Sequence, residues 1–273
     1  MKGKIAIVCS GGGMRCSYSA GVLVALGKEY QFFVPDIIIG ASGSAGNILY
    51  YVTGQLDSIE RIWTHWLANK KFISFFRFGR IMNIDYLIDG ILKKEEVMNV
   101  EKLREANIKY FIPLCNAENG GIKYFTNEDQ NEFEVLRAAK SIPLITRNKV
   151  MVGNSNYCDG RIGTNLQKDI AKAIQEGAKV VVAIANSQNL NHASFFRRLY
   201  AWLGLNSRLR KVFLNNKEEI INNLGRVKII YIKAPTLPVG LLTIDKEKLM
   251  QSFQLGYNDV KNNKELQELF GGR

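Results

Sequence analysis

IVCSGGGMRCSYSAGVL, residues 7–23, runs from an apolar stretch through three glycines into an apolar helical pattern. Lys4 to Cys9 reads as a buried strand, and Arg15 to Tyr30 as a helix beginning behind the glycines. Glycine costs backbone entropy, so a triplet marks a point where bare backbone is needed. A phosphate loop would require G-x-x-x-x-G-K-[ST], and no such lysine follows Gly11. A dinucleotide turn would require G-x-G-x-x-G, and GGGMRC lacks the last glycine. Two readings remain. Outward-pointing N–H groups, backed by the helix dipole, can receive a developing negative oxygen; a bare packing bend would look the same.

The strand-then-helix pattern recurs along the chain. PDIIIGAS (35–42) is a short apolar strand, with helices expected over Gly43 to Thr53 and Asp57 to Trp66. Residues 83–106 look helical with breaks. IKYFIPLCNA (108–117) is a strand, NGG (119–121) a turn, and IKYFT (122–126) follows it. Glu132 to Lys140 and Thr164 to Gln175 are helical. AKVVVAIAN (178–186) and RVKIIYIKA (226–234) are strands, and Lys246 to Leu255 opens a C-terminal helix. Continuous apolar strands alternating with helices define an α/β protein with a mainly parallel central sheet covered on both faces. One domain over residues 1–273 is expected, with 187–225 as an insertion or lid-like segment.

The 273 residues are 47% hydrophobic and 23% charged, as in an ordinary globular protein. No apolar run approaches the ~20 residues of a membrane span, and Ile5 to Cys9 is too short for a secretory core. A cytoplasmic chain, complete from its first residue, is expected. Cys9, Cys16, Cys115 and Cys158 show no metal spacing and read as reduced thiols. The two histidines are His65 and His192; His65, in IWTHWL, reads as packed among aromatics. The formal charge of +12 favours anionic partners. Lys70, Lys71, Arg77 and Arg80 interleave with Phe72, Phe75, Phe76 and Phe78. FFRRLYAWLGLNSRLRKVF (195–213) repeats that mixture. Such segments are either contacts with an anionic membrane surface, with rings entering the interface, or half-buried helices with solvated charges. Surface contact is favoured for 195–213, and 70–80 stays open. No nucleic-acid-binding motif is present, so no such partner is expected.

Two further motifs bear on chemistry. DIIIGASGSAGN (36–47) is a strand, a Gly-x-Ser and a run of small residues leading into a helix. That is the outline of a nucleophile elbow, although an ordinary serine-glycine turn has the same outline. YCDGRIGTNLQKDIAKAIQEGAKVVVAIAN (157–186) carries Asp159-Gly160, a common turn dipeptide.

SGGGMR…GVL, D-x-x-x-G-x-S, RAAKSIP and DGR…NL…A…GAKVVV occur here in one order. Together, over residues 4–186, they resemble the patatin-like lipid acyl hydrolases, and DKEKLMQSFQLGYNDV (245–260) resembles the tail of bacterial members. The resemblance implies a three-layer α/β/α fold and a serine–aspartate dyad that uses no histidine, metal or other cofactor. It also implies a phospholipid or other acyl ester as substrate. Ser42 matches the nucleophile, preceded by Asp36 and Gly40 at the family's spacing, with Gly43 relaxing the elbow. Asp159 matches the dyad aspartate. Gly11, Gly12 and Gly13 match the oxyanion loop, and Arg15 the basic residue that closes it. Two departures stand out. Ser44 replaces the second glycine of G-x-S-x-G, which leaves a frame in which Ser44 attacks. Arg161 follows Asp-Gly where glycine or alanine is usual, and a guanidinium facing Asp159 would weaken it as a base. These departures motivate the alternative of a catalytically silent lipid- or protein-binding member. A Ser42–Asp159–His192 triad is a third arrangement, with His192 outside the resemblance.

Overall fold

The computed structural model describes residues 3–30, 34–77, 80–129, 131–146, 149–186, 194–216 and 227–270. Its strands are β1 (Lys4–Cys9), β2 (Ile37–Gly40), β3 (Lys109–Asn116), β4 (Ile122–Phe125), β5 (Val150–Val152), β6 (Ser155–Asp159), β7 (Ala178–Ala185) and β8 (Lys228–Lys233). They form one sheet in the order β5-β6-β3-β2-β1-β7-β8, with β4 also bonded to β3. From β3 to β8 the pairing is parallel, while β4, β5 and β6 pair antiparallel. The sheet is therefore mixed with mostly parallel strands.

The helices are α1 (Cys16–Tyr30), α2 (Ser44–Val52), α3 (Leu56–Arg61), α4 (Val100–Arg104), α5 (Glu132–Ala139), α6 (Leu166–Gln175), α7 (Ser194–Gly204), α8 (Ser207–Asn215), α9 (Lys246–Lys261) and α10 (Lys264–Phe270). Alternation along β1 sorts them into layers. Ile5, Ile7 and Cys9 face a core with α1, α2 and α9, whereas Ala6 and Val8 face Ile170 and Ala173 of α6. Helix α1 is buried from Cys16 to Gly27 because it lies between the sheet and α9. The two helices approach through glycines: a Cβ on Gly21 would sit 1.9 Å from the Phe253 carbonyl oxygen, and one on Gly256 2.1 Å from that of Tyr18. The C-terminal motif thus braces the helix that follows the glycine loop.

The structure differs from the sequence reading at two places. Strands β5 and β6 are short and partly polar, and β6 is fixed by pairing with β3 at Leu114–Asn116 rather than by its own composition. The helix expected over Asp57 to Trp66 widens into a π-helical turn at Ile62–Trp66, and Tyr86–Glu95 forms another. Of the expected 187–225 insertion, 194–216 forms α7 and α8; 187–193 and 217–225 lie outside the described residues.

Candidate active site

Sheet register brings two distant residues level. Ile39 of β2 pairs with Phe111 of β3, so Ser42 and Leu114 each lie three residues further on, and Leu114 pairs with Asp159 at the end of β6. At Ser42 the backbone enters the left-handed region, with φ 55°. Non-glycine residues are held there only when the surroundings over-determine them. The resulting sharp turn aims Ser42 Oγ at Asp159, where it donates to Oδ2 at 2.6 Å. Both residues are buried.

Asp159 is fixed from three sides. Its N–H donates to the Ser141 carbonyl at 3.0 Å. Its Oδ1 accepts the Arg161 backbone N–H at 2.9 Å, which caps the short turn Gly160–Ile162. Gly160 is required beside it, since a Cβ there would lie 2.2 Å from the Pro113 carbonyl oxygen. Burial raises the Asp159 pKa above the ordinary aspartate value. The Ser42 hydroxyl, the Arg161 N–H and the charges of Arg161 and Lys140 oppose that rise without cancelling it. Arg161 therefore moderates the carboxylate, and desolvation outweighs it.

The glycine loop packs directly on this pair. A Cβ on Gly11 would stand 2.9 Å from Ser42 Cβ, and one on Gly43 2.9 Å from the Gly13 carbonyl oxygen. Gly13 itself has φ 57° and sits under Leu241. Met14 N–H donates to Leu241 O and Arg15 N–H to Gly12 O, while the amides of Gly11, Gly12 and Gly13 have no acceptor among the described residues. Arg15 ends the turn half-buried, and its guanidinium makes no hydrogen bond or ion pair among the described residues. Gly40 closes β2 with Ile48 and the Ser44 carbonyl packed against it.

Ser44 is held elsewhere. Fully buried in the first turn of α2, its Oγ donates to the Ser10 carbonyl at 2.8 Å, contacts Ser19 Oγ at 2.9 Å and accepts from Asn186 Nδ2 at 3.1 Å. Asn186 ties this knot. Its Nδ2 also donates to Ser10 O at 2.5 Å, its backbone N–H to Ser10 Oγ at 2.8 Å, and its Oδ1 accepts Ser19 N–H at 3.1 Å. The starts of α1 and α2, the glycine loop and the end of β7 are thereby joined. Asn186 was legible only as the last residue of a strand motif.

Ser42 lines an apolar cavity. Met14, Ile62, Trp63, Phe72, Leu87 and Ile142 are among its walls, and Trp63 Nε1 is held by Asn47 Oδ1 at 2.7 Å. Phe72 thus belongs to the core, whereas Phe75 and Phe76 are exposed and Phe78 lies outside the described residues. Lys140, unassigned within RAAKSIP, also reaches this wall and donates from Nζ to the Ser42 carbonyl at 3.2 Å. His65 is exposed and meets the Trp66 ring edge-on; His192 lies outside the described residues. Among the described residues, no helix is long and apolar enough to cross a membrane.

A mostly parallel sheet carrying a glycine loop, a serine elbow and an Asp-Gly turn at one end has counterparts among known proteins. The family model for patatin-like phospholipases matches residues 7–171, and the chain belongs to that family. It is 28% identical over 209 residues to the uncharacterized protein YjjU of Escherichia coli (strain K12). That alignment covers 74% of this chain and 58% of YjjU, so the chain spans less than two thirds of that relative. The crystal structure of VipD from Legionella pneumophila aligns with a TM-score of 0.54 at 13% identity, over 98% of this chain and 67% of VipD. That likeness is one of fold.

Proposed function

We propose that the protein is a serine acyl hydrolase that cleaves fatty acyl esters, of phospholipid or lysophospholipid type, through an acyl-enzyme on Ser42. The observation that carries the reading is the 2.6 Å hydrogen bond from Ser42 Oγ, on the wall of an apolar cavity, to a buried Asp159. An isolated aspartate is a feeble base, with a pKa of about 3.9. Burial strengthens Asp159 in that role.

Asp159 Oδ2 takes the Ser42 proton as Oγ bonds to the ester carbonyl carbon. The carbonyl electrons move onto oxygen, where the free amides of Gly11 to Gly13 receive them; one such donor is worth about 10²–10³-fold in rate. Collapse expels the alcohol, which takes the proton from Asp159. Water then attacks the acyl-enzyme with Asp159 again as base, releasing the fatty acid and restoring Ser42. The apolar lining suits an alkyl chain, with the scissile group held at Ser42 on the cavity wall. Substrate reaches the site from an anionic membrane surface, which fits the +12 charge and the exposed apolar and basic residues of α7 and α8.

The test is hydrolysis of a panel of acyl esters by wild type and three alanine variants. Ser42→Ala and Asp159→Ala are expected to lose about 10³-fold or more in turnover. Ser44→Ala is expected to stay within roughly tenfold, because it loosens a support rather than removing a reacting group. Turnover that survives Ser42→Ala but not Ser44→Ala would overturn the assignment. No turnover by folded wild type would favour a silent lipid-binding member.

A further inference from the structure

The site contains a cation that the serine–aspartate chemistry does not itself call for. Lys140 follows α5, is buried, and stands on the wall of a mostly apolar cavity. Its Nζ donates to the Ser42 carbonyl at 3.2 Å and lies 3.8 Å from where a Gly46 Cβ would be. It makes no direct ion pair among the described residues. Burying an ammonium is unfavourable unless a nearby group compensates, so a lysine here needs a reason.

The groups facing it supply one. Cys16 of α1 is pushed up to about 11 by burial and stays a neutral thiol. Tyr200 of α7, close to Asp159, is pushed up by burial and stays a phenol. Arg161 is a second cation and faces both Cys16 and Asp159. Asp159 is therefore the anion among these groups. The Ser42 carbonyl accepts from the Ala45 N–H at 3.1 Å as well as from Lys140, at the one residue of the elbow held with φ 55°.

We propose that Lys140 is a positioning residue, clamping the left-handed Ser42 elbow through its carbonyl and adding its positive charge to that of Arg161 at the serine–aspartate pair. This rests on the reading of Ser42 and Asp159 as the reacting pair. Burial lowers the lysine to about 8, which leaves it charged at neutral pH and below. Removing that charge raises the Asp159 pKa, because the neutral carboxyl is then favoured, and the acid limb of activity moves to higher pH.

The experiment is the pH dependence of kcat and kcat/KM on a soluble acyl ester for wild type, Lys140→Met and Lys140→Arg. Lys140→Met is expected to lose about tenfold in kcat with KM little changed, and its acid limb to move to higher pH. Lys140→Arg, which keeps the charge, is expected to return the acid limb to its wild-type position. Should Lys140→Met fail to fold, Lys140→Ala carries the test, because methylammonium can enter from the cavity and shift the limb back. A wild-type acid limb in Lys140→Met, or one in Lys140→Ala that ignores methylammonium, overturns the inference. Loss of the dyad reading is separate: it shows as undiminished turnover in Ser42→Ala, whatever Lys140 does.

Discussion

Ser42 and Ser44 lie two positions apart in the same turn, and backbone geometry gives them different neighbours. A left-handed φ at Ser42 swings its hydroxyl towards Asp159, while Ser44, inside the first turn of α2, points back at Ser10, Ser19 and Asn186. Asp159 carries the cost of the arrangement. Its pKa is raised in the folded chain, so above the ordinary aspartate range the folded state binds more protons than the unfolded one. Stability linked to this group is present at low pH and is lost as pH rises through the folded pKa. Asp159→Asn removes that loss. Its melting temperature should match wild type near pH 4, pull ahead as pH rises through the range in which folded Asp159 ionises, and keep that lead above it, while turnover disappears. Thermal melts across that range check the sign, and an advantage for wild type that grows with pH would contradict it.

At the scale of elements, α7 and α8 couple the surface to the site. Ala201, Leu205 and Leu209 are buried in a small core with Ile162, on the turn that Asp159 caps, and the Tyr200 and Phe213 rings meet edge-on with centroids 5.5 Å apart. Leu199, Trp202 and Leu203 point outward, with Arg208 and Lys211 exposed alongside. The half-buried reading of 195–213 thus describes the inner side of the helix pair, and the outer side leaves exposed the rings and cations on which the proposed surface contact draws. On the proposed membrane contact, each exposed cation contributes about 1 kcal/mol of attraction to an anionic surface. Arg208→Glu should weaken sedimentation with phosphatidylglycerol vesicles by roughly fivefold or more, and Trp202→Ala by a similar factor. High salt should weaken the first interaction more than the second. Equal binding to neutral and anionic vesicles, or indifference to both substitutions, would count against this face.

Across the whole molecule, legibility followed the range of the interactions involved. IAIVC, IIIG and VVVAIA could be read as strands because both faces of a central parallel strand are buried, which leaves an unbroken apolar run. VMV and SNYCD could not, since their pairing with each other and of β6 with β3 makes them strands. A π-helical turn has the same apolar spacing as a helix over a few residues, so Ile62–Trp66 read as plain helix. The glycine loop, Ser42 and Asp159 stood out as short motifs with local backbone demands. Lys140 and Asn186 did not, because each acts on partners 98 and 176 positions away in the chain. Ser42 as the nucleophile is the central claim, and covalent capture tests it most directly. Folded protein is incubated with a long-chain alkyl fluorophosphonate, and the adduct is located by peptide mass spectrometry. One adduct is expected, on Ser42, absent from Ser42→Ala and slowed in Asp159→Asn; an adduct on Ser44, or none on natively folded protein, would rule out Ser42 as the nucleophile.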